Sequence, residues 1–244
     1  MTGIRFEERD GVLLAILSRP DKLNALDTET LRRLSEKLAG ESASPKVLLL
    51  AAEGRVFSAG IDLEEVAAAG SPEEAARPFK ALGEAIKSLL TYPAPTISYV
   101  HAPAIAGGAE LALATDIIVV GPRARFEWPE VKWNIVAPLL LALASRSGIG
   151  RLAASALTGE SITAEEAIGL GIASYRAETL DEAIAIAGKI AGLYRENHAA
   201  FTNMLPALRQ WKFEAVNEVV PQLESLAKSM ELVERARRFV SGRR

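Results

Sequence analysis

The chain has 244 residues, 49% hydrophobic and 24% charged, and its 28 basic and 31 acidic side chains leave a formal charge of −3. This near-average composition excludes a disordered chain, and so even a charge balance supplies no field to gather nucleic acid or an anionic membrane. Cys is absent and the only His are His101 and His198, which excludes disulfides, thiol nucleophiles, Cys-ligated zinc, iron–sulfur clusters and paired-His metal motifs. No metal site is expected. The longest uncharged apolar run, Ile135 to Ala144, is interrupted by Pro138 and is far shorter than the roughly 20 residues of a membrane span. The N-terminus is charged within five residues and has no apolar signal core, so a cytoplasmic location is expected.

In chain order, Ile4–Glu8 and Val12–Leu17 read as strands joined by a tight turn at Asp10-Gly11. Asp27 or Thr28 opens an amphipathic helix with Leu31, Leu34 and Leu38 on one face. Val47–Ala51 is strand-like and leads to a loop carrying Ser58-Ala59-Gly60. Ser71, Pro72 and Glu74 mark the start of a second helix, with a capping box and a stripe of Phe79, Leu82, Ile86 and Leu89. Pro93 and Pro95 end it before a strand at Thr96–Val100.

A Gly-rich bend then precedes a short helix over Glu110–Ala114 and a strand over Ile117–Val120. Beyond Gly148 the pattern is almost wholly helical, with a capping box at Thr163-x-x-Glu166, a helix opened by Asp181, and a helical tail interrupted by Pro206 and Pro221. Alternating strands and helices predict an α/β class. No linker or repeat divides the chain, which predicts a body over residues 1–195 and a helical region over 196–244. Gly148-Ile-Gly150 fits a loose dinucleotide pattern, but it follows a helical run, so a helix–helix turn is expected there. His101 and His198 lack an acid at a suggestive spacing and read as structural, and the basic residues Arg235, Arg237, Arg238, Arg243 and Arg244 read as a solvated face.

Two segments carry chemistry. In Phe57–Leu63 (FSAGIDL), Ser58, Ala59 and Gly60 permit a tight turn and Asp62 can cap a helix over Leu63–Ala69, leaving a backbone N–H near Ile61 aimed outward. In Ala106–Asp116 (AGGAELALATD), Gly107 and Gly108 allow close backbone approach just before a helix. Two such N–H groups facing one point make an oxyanion hole. Glu110 and Glu130, the latter in FEWPEVKW, could share acid and base duties if they reach one pocket.

The segments SRPDKLNAL, FSAGIDL, AIAGGAELALATDIIV, FEWPE and LTGESITAEEAIGLGI occur in order, and over residues 4–175 the chain resembles the crotonase, or enoyl-CoA hydratase/isomerase, superfamily. The resemblance implies a spiral of ββα turns followed by a C-terminal helical region that drives assembly into trimers or hexamers. It implies an acyl-CoA thioester as substrate, with coenzyme A carried by that substrate and no cofactor of the protein's own. On this resemblance Ile61 and Gly107 donate to the thioester oxygen, with Ala59, Gly60, Asp62 and Gly108 around them, and Glu110 and Glu130 are the catalytic pair. Arg55 matches a basic residue that meets the CoA phosphates, and Lys22, Asn24 and Ala25 match the segment that cradles the nucleotide or pantetheine.

The chain also departs from the resemblance. After Glu130 a Gly-rich segment is replaced by KWNIVAPLLLALASRSG, with Asn134, Ala137 and Pro138 in place of glycines, and His101-Ala102-Pro103 replaces an Asn-Gly bend. Trp128 and Trp133 flank Glu130 and are expected to pack around its pocket. The leading expectation is an enoyl-CoA hydratase. Isomerisation, decarboxylation or thioester hydrolysis by one glutamate is the second, and a non-catalytic RNA-binding relative is the third, disfavoured by the net charge.

Overall fold

A computed structural model describes residues 3–242; Arg243 and Arg244 of the basic tail lie outside the described residues. Strands β1 (Ile4–Arg9) and β2 (Val12–Leu17) form an antiparallel hairpin across Asp10-Gly11, both with positive φ as a two-residue hairpin turn requires. Helix α1 (Thr28–Glu41) is capped by the Asp27 side chain and buries Leu31, Leu34 and Leu38. It leads to β3 (Val47–Ala52), α2 (Leu63–Ala68), α3 (Pro72–Thr91) and β4 (Thr96–Val100). Next come the two-residue β5 (Ala104–Ile105), α4 (Gly107–Ala114), β6 (Ile117–Val120) and β7 (Arg125–Glu127).

The main sheet runs β1-β2-β3-β4-β6-β9, where β9 is Tyr175–Arg176, and every pair after the first is parallel. All six residues of β2 are buried, because a parallel strand covered on both faces has no solvent side to alternate toward. Each fully buried Leu, Ile or Val there contributes about 1.5–3 kcal/mol. A second sheet, β5-β7-β8 with β8 at Ile162–Thr163, is built from pieces too short to leave a periodic signal in the sequence.

The remaining helices are α5 (Pro138–Ser147), α6 (Gly150–Thr158), α7 (Ala164–Gly169), α8 (Leu180–Glu196), α9 (His198–Ala227) and α10 (Met230–Ser241). Gly148, with φ +64, closes α5 before α6, so the Gly148-Gly150 segment is the helix–helix turn. Thr163 and Glu166 form the reciprocal capping box, whereas Glu74 bonds the Gly70 amide and leaves the Ser71 box one-sided. Pro206 and Pro221 do not interrupt the tail. Both lie inside α9, where packing on α3 and α5 offsets the one hydrogen bond that each proline removes.

Val216 and Val220 of α9 join the main core, while Leu223 and Ala227 form a second cluster with Val66, Phe79 and the α10 residues Leu232, Val233 and Ala236. The C-terminal helices therefore close over the body. Arg209 secures them: its five N–H groups reach Asp116, by Nε to Oδ1 at 2.6 Å and Nη2 to Oδ2 at 2.5 Å, and the carbonyls of Leu90, Tyr92 and Ala94. Among the described residues no helix is long and apolar enough to cross a membrane.

Candidate active site

The carboxyl ends of β3 and β4 run into two loops that are laced together. Phe57 N donates to Pro103 O at 2.9 Å and Ile105 N to Ser58 O at 2.9 Å. On the other side Leu26 N donates to Gly60 O at 2.8 Å and Asp62 N to Leu26 O at 3.0 Å, a parallel bridge between Leu26 and Ile61. In such a bridge the bonds run through the flanking residues, so the Ile61 N–H faces away from Leu26.

Gly107 is the first residue of α4, and its N–H has no acceptor within the helix. Gly60 has φ +82, and a Cβ there would sit 3.1 Å from Gly107 N and 2.9 Å from Ala106 Cβ. A Cβ on Gly107 would lie 3.7 Å from Ile61 N. The two amides are therefore neighbours, and glycine is needed where the loops touch. Ala106 holds φ at 50°, a costly conformation for a residue with a Cβ, and is pinned by its N–H to Glu127 O at 2.8 Å and its carbonyl from Glu110 N at 3.0 Å.

The structure starts α4 at Gly107, three residues before the expected Glu110. Glu110 is thereby carried into the first turn, 2% exposed. Its Oε2 accepts from Leu139 N at 2.7 Å; its Oε1 accepts from Leu140 N at 3.2 Å and from the Trp128 Nε1–H at 3.1 Å. Burial pushes its carboxyl up to about 7, with these donors pulling the other way. Glu130 sits in the 3-10 turn Pro129–Trp133, 6% exposed, and its Oε2 has no hydrogen-bond partner among the described residues. Burial, then the neighbouring Glu110 charge, pushes it up to about 8. Both carboxyls are thus held well above the usual carboxylate range, and the donors that favour the ionised form converge on Glu110.

Both carboxyls open into one cavity of about 790 Å³, which Ile61 and Gly107 also line. Its body is apolar, walled by Phe79, Leu82 and Ile86 of α3, by Ile135 and Val136, and by Val220, Leu223, Leu232 and Phe239 of the C-terminal helices. Lys22, Ala25, Arg55, Ala59, Asp62, Trp133 and Pro138 of the expected set also line it. Arg55 is an exposed cation with no ion pair to a described residue, whereas the Lys22 ammonium is held by Glu64 at 2.7 Å. Asp62 caps α2 through the Glu64 N–H at 3.0 Å and pairs with Arg19 at 3.0 Å.

Four expected residues stand off the cavity wall. Asn24 spends its side chain on the loops, donating to Glu53 O at 2.7 Å and Val56 O at 2.9 Å and accepting from Arg19 N at 2.9 Å. Gly60 and Gly108 serve close packing, since a Cβ on Gly108 would meet Ser58 Cβ at 2.6 Å. Trp128 is buried and stacked on Phe126 at 6.0 Å, reaching the site only through Glu110. The Leu139 and Leu140 amides were not among the expected site groups, although Pro138, which suits the first position of a helix, marks where free N–H groups would occur. His101 and His198 are absent from the cavity wall; His101 Nε2 lies 2.9 Å from Gly54 O, and burial lowers its proton affinity. No group of three or more His, Asp or Glu among the described residues is placed to hold a metal ion.

Two amide donors beside two buried carboxyls in unlike hydrogen-bond settings, in a largely apolar cavity, make an arrangement able to stabilise an oxyanion and move protons next to it. The profile of the family described as Enoyl-CoA hydratase/isomerase matches residues 7–237. The "Putative enoyl-CoA hydratase" of Thermus thermophilus is 37% identical over 194 residues, 75% of this chain and 76% of its own. The "Enoyl-CoA hydratase domain-containing protein 3, mitochondrial" of Mus musculus is 32% identical over 227 residues, 88% of this chain and 76% of its own. The crystal structure of an enoyl-CoA hydratase/isomerase from Mycobacterium paratuberculosis superposes with a TM-score of 0.85 at 25% identity, covering 100% of this chain and 99% of that one. The chain belongs to the enoyl-CoA hydratase/isomerase family, the crotonase superfamily, and has its mixed α/β fold with a helical C-terminal region.

Proposed function

We propose that the protein is an enoyl-CoA hydratase, adding water across the double bond of a 2-enoyl-CoA thioester. The observation that carries this reading is the unlike pair of carboxyls, one accepting from three donors of other residues and one with an unpartnered buried oxygen, beside two free amides in a single cavity. The thioester oxygen would accept from Ile61 N–H and Gly107 N–H, which stabilises the negative charge it gains as the β-carbon is attacked. Glu110 takes a proton from water as its oxygen bonds to the β-carbon, and Glu130 gives its proton to the α-carbon. The product has gained one water, and return of the proton from Glu110 to Glu130 resets the pair. Coenzyme A enters as part of the substrate, with Arg55 at the mouth suited to its phosphates.

Double-bond isomerisation is a second reading, favoured by the fact that only Glu130 has an oxygen free of any donor. Incubation with crotonyl-CoA, followed by loss of enoyl absorbance and by product mass, separates the two: hydration adds the mass of water. A product of unchanged mass from a 3-enoyl-CoA, with no water added to crotonyl-CoA, overturns the hydratase assignment. We also assign a homotrimer or a hexamer of two trimers. Met204, Leu208 and Phe213 of α9 and Leu157 of α6 are exposed apolar side chains that self-association would cover, and light scattering at a monomer's mass would refute it.

A further inference from the structure

Three donors converge on Glu110 and they come from two elements. The indole N–H of Trp128 precedes the 3-10 turn, and the Leu139 and Leu140 amides are the second and third of α5. A carboxylate offers about four lone-pair sites. Two donors meet Oε1 and one meets Oε2, so a single site remains, on Oε2. Glu130, whose Oε2 is buried and unpartnered, receives nothing comparable.

Other charges do not account for the difference. Asp116, after α4, is paired with Arg209, and Arg146, at the far end of α5, with Glu214. Glu127 on β7 pairs with Arg125, and Arg235 on α10 with Glu231. Lys132, on the turn that carries Glu130, is exposed beside Gly159, and Asp62, at the cavity wall, pairs with Arg19.

We infer that Trp128 is a positioning residue: with the first turn of α5 it fixes Glu110 as the ionised partner and leaves Oε2 as the one atom that can take the water proton. This rests on the hydratase reading only for the identity of that proton. The stack on Phe126 gives Trp128 an ordinary packing role as well, and the test separates the two.

Trp128→Phe keeps an aromatic ring and removes the donor. A lost hydrogen bond to a charged group corresponds to an upward shift of roughly one to two pH units in the Glu110 titration. Infrared titration of protein carrying carboxyl-labelled glutamate, with Glu110→Gln and Glu130→Gln to assign the bands, reads this without any substrate. The acid limb of kcat/KM for crotonyl-CoA hydration should rise with it, kcat at neutral pH falling about tenfold while KM holds. Trp128→Gln, which restores an N–H, should bring the limb back, and Phe126→Leu, which loosens only the stack, should leave it in place. A Glu110 titration unmoved in Trp128→Phe, or moved as far in Phe126→Leu, overturns the inference. Failure of every acyl-CoA to react would sink the hydratase reading, while the infrared titration would still decide the role of Trp128.

Discussion

Two of the places where the fold buries charge treat it in opposite ways. Around Arg209 and Asp116 every donor is spent: five N–H groups on one side, and on the other a carboxylate that also accepts from Thr96 N at 2.8 Å and Thr96 Oγ1 at 3.0 Å. At Glu110 and Glu130 one carboxyl is served by three donors, and its neighbour keeps an unpartnered oxygen in a cavity. A satisfied cluster resists change and ties elements together. A half-satisfied one costs stability, and the expense is recovered only when a ligand fills the gap.

The sharpest way to break the contrast is Glu130→Gln. Hydration should fall by about 10²–10⁴ through loss of the acid, while a melting curve shows no loss of stability. Gly107→Pro comes next. It removes one N–H at a helix position that tolerates proline, and turnover should drop about 10²–10³ in a variant with an unchanged circular dichroism spectrum. Arg209→Met should do the reverse, lowering unfolding free energy in urea by about 3–5 kcal/mol because Asp116 is left buried and unpaired. Its turnover per folded molecule should be unchanged.

A smaller effect sharpens the comparison through pH. Glu110 and Glu130 bind protons more tightly folded than unfolded, so between the usual carboxylate range and about 8 the folded state holds more protons, and stability falls as pH rises. The melting temperature should decline over that window, and less steeply in Glu130→Gln, where only Glu110 is left to titrate. The smallest effect expected is at the far wall. Phe239 of α10 meets Trp133 edge to face at 5.4 Å, and Phe239→Ala should shift preference toward longer acyl chains by several-fold in kcat/KM.

The main sheet was legible because β2 and β3 are continuous apolar runs and β4 is a short run rich in β-forming residues after Pro93 and Pro95, and α1 and α3 because their caps and stripes are strong. Glu110, Glu130, Ile61 and Gly107 were legible as residues. What brings them together was not, because it is made of loop-to-loop backbone bonds that any side chain could precede. Arg209 gave no signal at all: its partners lie 93 to 119 residues away, and a lone Arg in a helix otherwise reads as surface. Trp128 was placed as packing near Glu130, and its N–H reaches Glu110 instead because Trp128 is the residue that opens the 3-10 turn, where about three residues make a turn and residues two apart point in different directions.

Leu232 and Phe239 belong to the last helix, yet they wall the chamber built by α3 and the loops before residue 140. Order of synthesis then matters. The sheet strands through β6 and the oxyanion loops leave the ribosome more than a hundred residues before α10, so the nascent body holds an apolar trough with one side open. For that interval the trough is an open apolar surface of the kind that attracts misplaced partners, and docking of α9 and α10 ends the exposure.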